Sequence, residues 1–227
     1  MYPCEDELFF VLGDIMNLHD ILEIVEKTRW MGENSPIVAN IRYSNPKVCV
    51  ITGPNVSGKS LLRKIINVHH RENKVEFIHL SQAGRCESGI MKSMIYGNEQ
   101  DDSTGCNTLK TMLTAIKTGI SRENSFTLFF DEPEIGCSEE LAAGMAIRLI
   151  KNIDLMKNLF GLIIVSHSKQ FLSRFVSLSP THIHLGGDYV SLSDWVNREI
   201  VPVEDLEGLQ DLGHKRWSAI EKMMRKV

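Results

Sequence analysis

Residues 49–60 read CVITGPNVSGKS, an apolar run that breaks into glycine, proline and asparagine and then into lysine and serine. SLLRKIINVHH (60–70) follows, with apolar residues at helical spacing. A strand, a glycine-rich turn and a helix, in that order, form the context that the pattern G-x-x-x-x-G-K-[ST] requires. The two glycines let successive backbone N–H groups turn inward, and the helix start adds the positive end of its dipole. Gly53, Pro54, Asn55, Val56, Ser57, Gly58, Lys59, Ser60 and Leu61 therefore form a candidate polyphosphate cradle. In it Lys59 reaches the outer phosphates and the Ser60 hydroxyl is a candidate magnesium ligand.

Working outward, residues 14–28 place Ile15, Leu18, Ile21, Leu22 and Val25 at helical spacing. Strands are expected over 37–43 and 47–52, split by a turn at Asn45-Pro46. Beyond the glycine loop come a strand over 75–80, a loop over 83–104, a helix over 108–120 and the strand FTLFF (126–130). FTLFF is apolar on both faces, as a central parallel strand is. A helix over 138–151, a strand over 162–165, a helix near 168–175 and strands around 182–185 and 188–192 complete the alternation. Strands separated by helices predict an α/β fold with a mostly parallel central sheet flanked by helices on both faces, and the G-x-x-x-x-G-K-[ST] match makes a P-loop NTPase the expected form of it. One domain, 1–227, is expected, with a core at about 37–192, a helical lead over 1–30 and a basic amphipathic helix over 213–227.

Composition sets bounds. The 227 residues are 43% hydrophobic and 24% charged, enough to bury a core unaided. A net charge of −4 argues against nucleic-acid binding by bulk charge alone. Cys4, Cys49, Cys86, Cys106 and Cys137 are scattered without a CxxC pair, which suits a reducing compartment and suggests neither a zinc site nor a disulfide framework. The start carries Glu5, Asp6 and Glu7 where a signal peptide needs positive charge, and no apolar run is long enough to span a bilayer. A cytoplasmic protein with no transmembrane partner is expected.

SFTLFFDEPEIG (125–136) supplies a second chemical element, a strand ending in adjacent carboxylates. Asp131 suits magnesium, which takes few carboxylates alongside water and phosphate oxygens. Glu132, ionised at neutral pH, can orient a water and accept its proton. Glu134 reads as a solvated acid without a role. LIIVSHS (162–168) ends in Ser166 and His167, and a strand end on this edge of a parallel sheet faces the ligand crevice.

Together the phosphate loop, the Asp-Glu pair and the histidine resemble the ATP-binding-cassette superfamily of ATPases. The resemblance covers about residues 37–192. It implies ATP and Mg2+ as ligands, Asp131 as the magnesium-linked aspartate, Glu132 as the catalytic glutamate and His167 as the switch histidine. Gln82, ending FIHLSQ, looks like the glutamine that approaches magnesium and the attacking water. The signature LSGGQ is absent. Its nearest match is DDSTGCN, where Ser103, Thr104 and Gly105 stand in, against a plainer reading of Ser103 as the cap of the following helix. The aspartate expected after the Asp-Glu pair is also missing, with Gly136, Cys137, Ser138 and Glu139 in its place. The interval from Lys59 to Ser103 leaves no room for a transporter's helical subdomain or a long coiled coil. The order GPNxxGKS, LSQAG, DDSTG, Asp-Glu is similar to the MutS-type ATPase domain, although the MutS continuation after the acids is not reproduced and the 227 residues leave no room for its clamp and mismatch-reading domains.

Trp30 is a candidate for stacking on adenine, with Tyr43 as competitor and a packing role as the plain alternative for both. HKRWSAIEKMMRKV (214–227) puts Trp217, Ile220, Met224 and Val227 on one helical face, with Lys215, Arg216, Lys222, Arg225 and Lys226 set against Glu221 alone. Such a helix can bind nucleic acid, an anionic membrane or a partner groove; packing on the core or in a dimer is favoured here. The resemblance implies an ATP-dependent homodimer and leaves a protein or DNA client open. Set beside this ATPase are a nucleotide-binding switch that hydrolyses poorly and a small-molecule kinase, which lacks an arginine-rich lid. A GTPase is disfavoured because no NKxD-type guanine reader is present.

Overall fold

In this computed structural model the described residues are 17–32, 35–81, 103–188 and 190–224. The apolar run of CVITGPNVSGKS lies in strand β2 (Asn45–Thr52), buried from Val48 onward. Val48 and Val50 point to one side of the sheet, Cys49 and Ile51 to the other. Burial on both faces suits an interior parallel strand, and β2 has parallel neighbours on both sides, β5 (Leu159–Val165) and β6 (Pro180–Leu185). FTLFF lies in β4 (Phe126–Asp131), parallel between β5 and β3 (Glu76–Ser81). β1 (Ala39–Arg42) runs antiparallel to β6, so the sheet order is β1-β6-β2-β5-β4-β3.

Helices cover both faces. On one, α1 (Leu18–Glu26) and α2 (Lys59–Glu72) bring Leu18, Ile21, Leu62 and Ile66 onto Ile51, Phe129 and Ile163. On the other, α3 (Thr104–Ser121), α4 (Glu139–Ile150), α5 (Lys169–Ser173) and α6 (Leu192–Asn197) set Met112, Met145, Phe171 and Trp195 against Val50, Leu128 and Phe130. The expected α/β architecture, a mostly parallel sheet flanked on both faces, is what the chain adopts. A last helix, α7 (Leu206–Met224), starts earlier than expected from 213.

Local chemistry accounts for the boundaries that differ from expectation. Asn45-Pro46 does not separate two strands: Asn45 opens β2, and its side-chain oxygen accepts the N–H groups of Lys47 (2.8 Å) and Val48 (3.2 Å), a turn folded into the strand start. Helix α3 begins at Thr104 rather than near Thr108, because the Ser103 hydroxyl caps it by accepting the Cys106 N–H. The strand expected over 188–192 is not found among its described residues. Ser191 instead caps α6 through the Asp194 N–H and bonds the Asp194 carboxylate, a local pairing that holds the chain in helix rather than strand. The helical lead before residue 17, the loop over 83–102, Cys4, Cys86 and the end of the basic helix from 225 lie outside the described residues. No described helix is long and apolar enough to cross a membrane.

Candidate functional site

Strand β2 ends at Thr52 and α2 begins at Lys59; the turn between them is GPNVSG (53–58). Gly53 (φ 145°), Val56 (φ 64°) and Gly58 (φ 104°) lie in left-handed or related backbone regions. A Cβ on Gly53 would stand 2.5 Å from the Leu185 carbonyl oxygen, and one on Gly58 would stand 3.1 Å from Ile37. Gly53 is therefore required by close approach of β6, and Gly58 by backbone conformation at the helix start. Lys59 Nζ folds back onto the carbonyls of Gly53 (3.0 Å) and Pro54 (2.7 Å). Burial pulls its ammonium down to about 8, while Glu132 and Asp131 draw it partly back. The Ser57 hydroxyl is buried without a hydrogen-bond partner among the described residues. A hydroxyl orphaned among the described residues, a lysine held by loop carbonyls and glycines that a methyl would jam together fit a polyphosphate cradle.

The strand ends deliver the acids to the same edge. Asp131 closes β4, in register with Ser81 of β3 and Val165 of β5. Glu132 follows in a left-handed conformation (φ 54°) with its N–H on the Val165 carbonyl (2.8 Å). That turn brings its carboxylate within 3.8 Å of His167 Nε2. The His167 imidazolium is disfavoured by burial and then by Lys59, with Asp131 partly opposing. A cleft of about 520 Å³ gathers Asn55 to Leu61, Lys64, Ser81, Asp131, Glu132 and His167. Ser60 and Asp131 line it together, so a divalent ion there would rest on one hydroxyl, one carboxylate and phosphate oxygens.

Two neighbours had no role in the sequence. His79 places Nε2 3.6 Å from Asp131 Oδ2 and its ring edge against Phe129. Glu134 is not a solvated acid. Its Oε1 accepts the Ser166 hydroxyl (2.6 Å) and the Ser168 N–H (3.3 Å), flanking His167 on both sides. Burial pushes its carboxyl up against the pull of these bonds, and its other oxygen is buried without a hydrogen-bond partner among the described residues. Nothing in DEPEIG signals this, because the partners belong to a different strand end.

Other expected site residues lie apart from the cleft. Ser103 is exposed and caps α3, and Gly105 is buried where a Cβ would stand 2.8 Å from the Gly136 carbonyl oxygen. The Thr108 hydroxyl donates to the Ile135 carbonyl (2.9 Å), so the start of α3 is docked on the turn that follows Glu132. Trp30 packs against the α1–α2 core with the Arg29 guanidinium 5.0 Å from its ring, and Tyr43 donates its hydroxyl to Glu26. Neither lines the cleft. Gln82 lies outside the described residues. The basic helix does fold back on the core: Gly213, Arg216, Trp217 and Ile220 of α7 complete the cleft wall. Ile220 is buried there while Trp217 stays 53% exposed.

No family model matches this chain, and no curated protein matches it either.

Proposed function

We propose that this chain is a P-loop ATPase of the ATP-binding-cassette type, binding ATP with Mg2+ on the Gly53–Ser60 loop and hydrolysing it. The observation that supports the reading is the convergence of Lys59, Ser60, Asp131, Glu132 and His167 on one cleft from three separate strand ends. Lys59 leaves its two loop carbonyls for the outer phosphates, and Ser57 gains the partner it lacks. Ser60 and Asp131 hold magnesium, which when bound neutralises charge on the phosphate oxygens. Glu132 orients a water and accepts its proton, and His167, held neutral, hydrogen-bonds the terminal phosphate. Positioning and charge stabilisation carry phosphoryl transfer. The exposed N-terminus of α3, capped by Ser103 and tied to the Glu132 turn, is the surface offered to the phosphates of a second copy in an ATP-held dimer. Turnover of the wild type against Glu132→Gln tests this: hydrolysis is expected to vanish in the variant while ATP holds it as a dimer. The MutS-like spacing is the ground for repeating the assay with duplex DNA.

One observation favours the second reading, a nucleotide-held switch with little hydrolysis: the Ser103 hydroxyl is already engaged in capping its own helix. Equal and negligible turnover in wild type and Glu132→Gln selects that reading.

A further inference from the structure

The phosphate loop is touched from outside by an element that its motif does not include. Helix α7 lies against it: the Arg216 guanidinium donates from Nη1 to the Val56 carbonyl, and a Cβ on Gly213 would stand 3.3 Å from Val56 Cγ1. Arg216, Trp217 and Ile220 face the same cleft as Lys59 and Lys64. Resting on the nucleotide reading above, we propose that Arg216 is a further phosphate-binding residue of this site. In this reading it is supplied in cis by the C-terminal helix and exchanges the Val56 carbonyl for a phosphate oxygen when nucleotide binds.

The chemistry follows from what both cations now hold. Lys59 and Arg216 rest on carbonyls of the same loop, Gly53, Pro54 and Val56. A carbonyl offers a full positive charge only a dipole, whereas a phosphate oxygen meets it with an opposite charge and accepts paired N–H bonds from a guanidinium. The guanidinium presents five N–H donors in a fixed fork that matches phosphate geometry. Arg216 comes from a different element than Lys59, so the two can approach a phosphate chain from separate directions. Trp217, next in sequence, is half exposed on the cleft wall with its indole N–H held by Glu221 (3.0 Å). Its fluorescence therefore reports a shift of Arg216, while Trp195 is buried in the far core and Trp30 lies off the cleft.

The test titrates the full chain with MgATP and, as a base-free probe, with inorganic tripolyphosphate, following Trp217 emission and heat of binding. Arg216→Ala is expected to weaken both ligands about tenfold or more, with its melting temperature kept, and Trp217→Phe to remove the emission change. Should Arg216→Ala melt early, Arg216→Gln, which keeps donors and loses the charge, carries the same expectation. Wild-type affinity in both Arg216 variants, with Lys59→Ala still abolishing binding, overturns the inference and spares the nucleotide reading. Tighter binding without Arg216 also overturns it, by making α7 a competitor. A wild type that binds neither ligand removes both.

Discussion

A single methyl group separates the two kinds of glycine in this chain. At Gly53 the added Cβ would meet the Leu185 carbonyl oxygen at 2.5 Å and its Cβ at 2.9 Å, at φ 145°. Backbone cannot give way as a flexible side chain can, so Gly53→Ala is expected to cost on the order of 1–3 kcal/mol and to weaken ATP binding. Gly144, exposed within α4, has nothing within 4 Å of its Cβ position. Gly144→Ala is expected to stabilise by about 0.5–1 kcal/mol and leave binding unchanged. Urea denaturation of both variants with an ATP titration checks the pair; equal effects would mean that the loop is not held as described. Sequence could mark Gly53, Lys59 and Ser60 because they share one short motif, in which the carbonyls holding Lys59 are its neighbours in chain. It could not mark Glu134 or His79, whose partners Ser166, Ser168 and Asp131 arrive from other strands.

Elements were legible where apolar residues are continuous, as in β4, or helically spaced, as in α2. β4 and α2 follow their apolar patterns closely, whereas the span 188–192 was misread because its apolar alternation hid the cap at Ser191. The pattern also places His70 in α2 without saying that it is buried. His70 Nδ1 meets the Ile66 carbonyl at 2.8 Å, which requires a proton on that nitrogen; with burial keeping the ring neutral, Nε2 accepts the Thr127 hydroxyl (2.8 Å). Burial pulls His70 down to about 4, and His182, bonded to the Thr52 hydroxyl, likewise. Below the unfolded value of about 6.5 the unfolded chain takes up protons that the fold refuses. Stability is thus full above that pH and is lost as pH falls toward 4. For one such imidazole the loss between pH 7 and 5 is on the order of 2 kcal/mol. Glu134, held high by burial, works in the opposite direction, so the comparison that isolates the effect is His70→Phe against wild type. Urea midpoints at pH 7 and 5 are expected to differ less in the variant; an unchanged difference would contradict a buried neutral ring.

At the scale of the molecule, one sheet binds two cores, and Phe129 is the aromatic residue of β4 that serves the α1–α2 side. It is fully buried, with ring centroids 5.4 Å from Phe77 and 5.6 Å from His79. Phe129→Ala is expected to cost about 3–5 kcal/mol, read as a lower urea midpoint, and to loosen the β3–β4 edge that carries Asp131. A loss below 1 kcal/mol would mean that the α1–α2 core does not depend on this ring. Alternating strands and helices made this architecture readable in advance. The apolar face of α7 favoured packing in advance, but its seat against the Gly53–Ser60 turn was not legible, because the Arg216–Val56 contact joins residues far apart in the chain. The central claim is that the Gly53–Ser60 turn holds a triphosphate, and urea unfolding with and without MgATP tests it most directly. At a hundredfold its dissociation constant the ligand is expected to raise stability by about 2.7 kcal/mol, and Lys59→Ala to erase that gain. No gain in the wild type, or an equal gain in Lys59→Ala, would contradict it.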